Sequence, residues 1–176
     1  MTTLLVDTTS LYAFHQHLKT HNYNVPGNIN YSALMDSLLQ KFPQGFDTQI
    51  AFTAINPEHT GQQKFCEYLE KTYIVDIADY RQFRNQRLTT RLTYLMGMLV
   101  PKPIVIVTDD FAVYHPMLDY TQNRRGNISL AFFQRGLDER WNTSTIDFHE
   151  LDAKSILGVS FDHPPIKTTG LCELTL

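Results

Sequence analysis

Short apolar runs closed by a polar residue alternate along this chain with stretches whose apolar side chains recur every three or four positions. Residues 3–7 read Thr-Leu-Leu-Val-Asp, a strand pattern ending in a carboxylate. Thr8, Thr9 and Ser10 follow and can cap a helix carried by Leu11, Phe14 and Leu18. Pro26 and Gly27 mark a loop, and Leu34, Leu38 and Leu39 give residues 31–42 a helical spacing. A second strand is expected over 49–55, stopped by Pro57. Residues 60–71 form a helix with Phe65, Tyr68 and Leu69 on one side, and 73–78 form a third strand.

Leu88, Leu92, Leu95, Met96 and Leu99 mark the most strongly periodic helix, stopped by Pro101 and Pro103. Residues 104–107 are a continuous β-branched run, the pattern of a strand buried on both faces, and they lead into Thr108-Asp109-Asp110. A helix around 114–122, a fifth strand at 128–133, a short helical stretch near 138–141 and a short strand or turn near 146–148 complete the pattern. Strands alternating with helices at this spacing predict an α/β fold: a three-layer, Rossmann-like sandwich with a mainly parallel sheet of five principal strands. The unit spans residues 1–151. Residues 152–176, with Pro164, Pro165 and Gly170, are expected to be an extended tail that packs on the domain or joins copies into a homo-oligomer.

Composition narrows the class. The chain has 176 residues, 43% of them hydrophobic, enough for one self-sufficient core. No apolar run approaches the roughly 18 to 20 residues of a membrane helix, and the first residues lack the basic and apolar regions of a signal peptide. A soluble cytoplasmic protein with no membrane partner is expected. Cys66 and Cys172 lie in no metal-ligand spacing and are expected to be packing thiols. A net charge of −3 gives no global pull toward polyanions, but Arg81, Arg84, Arg87 and Arg91 follow one another with no acid between them.

In an open parallel sheet, ligands bind beyond the carboxyl ends of the strands, where Asp7, Asp109 and Asp110 fall. If those strands are neighbours, the three carboxylates supply the hard oxygen ligands that Mg²⁺ or Mn²⁺ takes in phosphoryl chemistry. The competing reading is that Asp7 and Asp110 merely cap the following helices. No glycine-rich phosphate loop and no GxSxG elbow follows any strand, which disfavours nucleotide-cofactor binding and hydrolase chemistry. His15, His17 and His21, spaced two and six from the first, do not suggest a metal site, and His15 and His21 are expected to be solvated. Arg84, Arg87 and Arg91 lie within about 60° of one another around a helix axis. That stripe suits phosphates, with Tyr80, Phe83 and Tyr94 placed to stack on unpaired bases and Arg124 and Arg125 as further candidates. An ordinary solvated helix face satisfied by carboxylates is the alternative.

Two segments carry a family resemblance. Leu4-Leu5-Val6-Asp7-Thr8-Thr9-Ser10-Leu11 resembles the opening of the NYN domain, a strand followed by D-x-x-N-L, and residues 104–111 resemble the strand leading into its S-G-D-x-D-F turn. The resemblance covers roughly residues 3–151 and implies a PIN-like fold of metal-dependent ribonuclease ancestry. This chain departs from the pattern where it matters: Ser10 stands in place of Asn, and Arg87 and Thr93 stand where the family carries two acids. Losing two negative ligands and gaining a cation weakens a divalent-metal site and strengthens a hold on phosphate. Three functions follow as expectations. The first is an RNA-binding protein, for single strands, that needs no cofactor to bind. The second is an active Mg²⁺- or Mn²⁺-dependent ribonuclease using Asp7, Asp109 and Asp110. The third is a protein-interaction module without nucleic acid.

Overall fold

The computed structural model describes residues 2–56, 58–79, 102–115, 127–143 and 146–161. Among the described residues six strands form one sheet: β1 (Thr3–Asp7), β2 (Thr48–Ile55), β3 (Ile74–Asp79), β4 (Ile104–Val107), β5 (Ile128–Phe132) and β6 (Asp147–Glu150). Their spatial order is β3-β2-β1-β4-β5-β6, and every pairing is parallel. The chain therefore builds outward from β1 to β3, then returns to the other side of β1 and builds outward again. The order reverses between β1 and β4, whose register sets Val6 opposite Val107.

The two central strands explain why their sequences are apolar throughout. All five residues of β1 and all four of β4 are buried. Alternate side chains feed two separate cores: Leu4, Val6, Val105 and Val107 face one, while Leu5, Ile104 and Ile106 face the other. Helix α1 (Thr8–Thr20) brings Leu11, Phe14 and Leu18 to the first core, as their spacing predicts. Each such burial contributes on the order of 1.5–3 kcal/mol. Helices α2 (Tyr31–Lys41) and α3 (Thr60–Leu69) join the same face through Leu34, Leu38 and Leu69. On the opposite face, Val113 and Tyr114 from a helical turn at residues 111–115, with Trp141 from a 3-10 segment (Glu139–Thr143), cover the second core. Gly136 passes so close to the Phe14 ring that a Cβ there would lie 2.7 Å from it, which only glycine avoids.

Several expectations change. The sheet has six strands rather than five, because the segment read as a short strand or turn near 146–148 pairs with β5 from Ser129↔Asp147 to Phe132↔Glu150. Residues 153–157 are not extended: they form helix α4 (Ala153–Leu157), capped by the Asp152 carboxylate and ended by Gly158 at φ 70°. Ile156 and Leu157 from this helix are buried in the first core. The helix expected over 114–122 starts earlier, since residues 111–115 are already helical, and its remainder lies outside the described residues. The periodic helix at 88–99 and the tail beyond 161 also lie outside them. Cys66 is buried and unpaired, with burial raising its thiol pKa, as expected of a packing thiol. No helix among the described residues is long and apolar enough to cross a membrane.

Candidate functional site

The reversal of strand order between β1 and β4 opens the carboxyl ends of both strands to the same region, the usual ligand position in an open parallel sheet. There the β1–α1 turn meets the turn that follows β4. Asp7 ends β1, is 1% exposed, and is at once the N-cap of α1. Its Oδ1 accepts the Thr9 backbone N–H at 3.0 Å, the Thr9 hydroxyl at 2.5 Å and the Ser10 backbone N–H at 3.3 Å. Its Oδ2 accepts the Ser10 hydroxyl at 3.0 Å and the Thr108 hydroxyl at 3.4 Å. Five donor groups thus lie around one carboxylate, more than the roughly four acceptor sites its two oxygens offer.

The second turn is tied to the first through hydroxyls. Ser10 Oγ lies 2.9 Å from Thr108 Oγ1, and Thr108 Oγ1 accepts the Asp110 backbone N–H at 3.1 Å. Asp110 Oδ1 accepts the Val113 N–H at 3.2 Å and so starts the helical turn at 111–115. The capping alternative for Asp7 and Asp110 is therefore realised in the fold. Asp109 has a different position. Burial pushes its carboxyl up to about 6 from the ordinary 3.8, the Ser10 hydroxyl opposes that rise, and the negative charges of Asp7 and Asp110 add to it. Near neutral pH this carboxyl holds its proton far more readily than an exposed aspartate does.

A ring cluster borders Asp109. Trp141 Nε1 donates to the Asp109 carbonyl at 3.1 Å. Phe111 stacks with His115 at 4.2 Å between centroids and meets Trp141 edge-on at 4.9 Å. The Arg140 guanidinium lies 4.8 Å from the Phe111 centroid and is also paired with Asp138 at 2.6 Å. That pair lowers the Asp138 pKa, chiefly through the side-chain hydrogen bond.

The turns that carry Asp7, Asp109 and Asp110 adjoin through the Ser10 and Thr108 hydroxyls, but their carboxylates form no three-ligand metal group among the described residues. Arg84, Arg87, Arg91, Arg124, Arg125, Tyr80, Phe83 and Tyr94 lie outside the described residues. The residues that sequence reading passed over are Ser10 and Thr108 as bridging hydroxyls and Trp141 as the clasp on Asp109. Thr108 carried a signal, a polar residue closing an otherwise wholly apolar strand. One further expectation fails: His15 is buried, and its Nε2 lies 2.8 Å from the Gly27 carbonyl, with burial lowering its pKa.

The Asp7 carboxylate, taken alone, is a poor ligand for a catalytic divalent ion. Among the described residues no three metal-ligating side chains converge. Asp7, the most central carboxylate, has its oxygens committed to N–H and O–H donors, whereas Mg²⁺ demands open carboxylate lone pairs and near-octahedral oxygen geometry.

The class defined at this point is an α/β protein with a doubly wound, Rossmann-like parallel sheet and polar groups gathered at its switch point. No family model matches the chain, and no curated protein matches it in sequence. Among solved structures, the chain is similar to a protein of unknown function from Vibrio parahaemolyticus, with a TM-score of 0.64, covering 89% of this chain and 95% of that one at 14% identity. At that identity the likeness concerns the fold alone.

Proposed function

We propose that this protein binds single-stranded RNA on a PIN-like nuclease fold whose catalytic site has become a structural joint. The observation that carries the reading is the Asp7 carboxylate, buried and surrounded by five donors from Thr9, Ser10 and Thr108. A metal-binding aspartate keeps lone pairs for the ion; this one spends them on its own turn. Ser10, the residue that departs from the NYN pattern, supplies two of the five donors. Binding is assigned to Arg84, Arg87, Arg91, Arg124 and Arg125 on phosphates, with Tyr80 and Tyr94 stacking on bases, and requires no cofactor.

One observation favours the alternative, a Mg²⁺- or Mn²⁺-dependent ribonuclease. Asp7 and Asp109 are close enough for their charges to interact, and a bound cation would oppose the rise in the Asp109 carboxyl pKa.

The deciding experiment mixes the purified protein with end-labelled single-stranded RNA over a salt series, in EDTA and in Mn²⁺. The proposal expects binding in EDTA that weakens steeply with salt, and intact RNA in Mn²⁺. Metal-dependent fragments that vanish in Asp7→Asn establish the ribonuclease instead. Absence of binding in both buffers overturns both readings and leaves the protein-interaction module.

A further inference from the structure

We propose that His17 and His21 form a two-imidazole clamp for a borderline divalent transition cation of the zinc, nickel and copper class, at the far end of α1 from the carboxylates. The two residues are one helical turn apart, His17 in the last turn of α1 and His21 at its C-cap. Side chains at i and i+4 share a helix face, the spacing by which helical histidine pairs hold zinc. Their ring centroids are 3.9 Å apart, and both residues are exposed.

The hydrogen bonding prepares one ring for a metal. His21 Nδ1 lies 2.9 Å from the His17 carbonyl oxygen. A carbonyl only accepts, so Nδ1 carries the proton and the lone pair is left on Nε2. The Thr20 hydroxyl, 3.2 Å from the same Nδ1, is itself committed as a donor to the His17 carbonyl at 2.8 Å. Metal-ligating histidines donate their second ring N–H to a carbonyl or carboxylate in the same way, which fixes tautomer and orientation. The His17 ring shows no hydrogen bond among the described residues and can turn to bring a nitrogen alongside His21 Nε2.

The electrostatic setting agrees. The carbonyls at a helix C-terminus carry partial negative charge and favour a cation there. Imidazole ligands select zinc, copper and nickel over the hard ions, so Mg²⁺ is not a competitor. No third metal-ligating side chain joins the pair among the described residues, which leaves the remaining coordination positions to water or to a donor from another molecule. The clamp does not rest on the RNA reading. Helix α1 has 13 residues, so its two ends are about 20 Å apart at 1.5 Å per residue.

The test is calorimetric titration of the intact protein with Ni²⁺ and with Zn²⁺, repeated in excess Mg²⁺, on the wild type and on His17→Ala, His21→Ala and His149→Ala. The proposal expects one equivalent of Ni²⁺ or Zn²⁺ bound, an affinity at least ten-fold weaker in each of the first two variants, and no change in His149→Ala or in Mg²⁺. In ¹⁵N spectra, Zn²⁺ is expected to move the His21 Nε2 resonance while Nδ1 stays protonated. Absence of binding by the wild type, or undiminished binding by His17→Ala and His21→Ala, overturns it. Both substitutions are at exposed positions, and circular dichroism of each variant separates a lost ligand from a lost fold.

Discussion

The turns that follow β1 and β4 start from the same device, an apolar buried strand that runs into an aspartate and then a helix, and they divide the work differently. After β1, one aspartate does everything: Asp7 ends the strand, caps α1 and gathers five donors. After β4 the work is divided. Asp110 takes the cap, Thr108 supplies the bridging hydroxyl, and Asp109 is left half-buried, desolvation raising its carboxyl to about 6. Desolvation raises a carboxyl, and N–H and O–H groups aimed at it oppose that rise.

The comparison breaks most visibly if Asp7 is removed. Asp7→Ala deletes the α1 cap and orphans the buried Ser10 and Thr108 hydroxyls, and a loss of about 3–5 kcal/mol is expected in urea unfolding. A loss under about 1 kcal/mol would mean that the joint contributes nothing beyond an ordinary cap.

Asp109→Asn is expected to act in the other direction. A carboxyl whose pKa is raised on folding carries a penalty that is absent below its unfolded value near 3.8 and complete above about 6. The variant is therefore expected to match the wild type at pH 3 and to be more stable at pH 8, by up to about 3 kcal/mol at 1.36 kcal/mol per pH unit. Paired urea titrations at the two values check it, and equal stability at pH 8 contradicts the desolvated state of Asp109.

Ser10→Ala tests the link between the two turns. It removes a donor from Asp7 and the hydroxyl that holds the Asp109 pKa down, so a loss of about 1–2 kcal/mol is expected. An upward movement of the Asp109 titration in carbon-detected NMR is expected with it. The smallest effect belongs to Asp110→Ala, which removes one cap bond to Val113 and is expected to cost about 1 kcal/mol with no change at Asp7.

The central architecture was readable because strands buried on both faces leave an unmistakable trace, as in Ile104-Val105-Ile106-Val107. The edges were not. Strand β6 is four residues of mixed exposure, Asp-Phe-His-Glu, and only its pairing with β5 makes it a strand. Helix α4 has five residues, too short for a periodic signal, and its Ile156 and Leu157 earn their burial from the core they meet. At the site, the three aspartates could be read as strand terminators. The histidines could not be sorted: His15 and His21 lie on one exposed-looking helix, yet the 21–30 connection folds over His15 and leaves His21 in solvent.

By itself, then, the amino-acid order determined the alternation of strands and helices, the two-sided burial of β1 and β4, and the placing of acids at their ends. These are local consequences of side-chain period and capping chemistry. Tertiary structure decided the rest. The crossover that sets β4 beside β1 brings Thr108 to Asp7 across a separation of 101 residues. Such long-range contacts fix which carboxylate gathers donors and which is desolvated, because hydrogen-bond partners and burial belong to the assembled sheet and not to either turn alone.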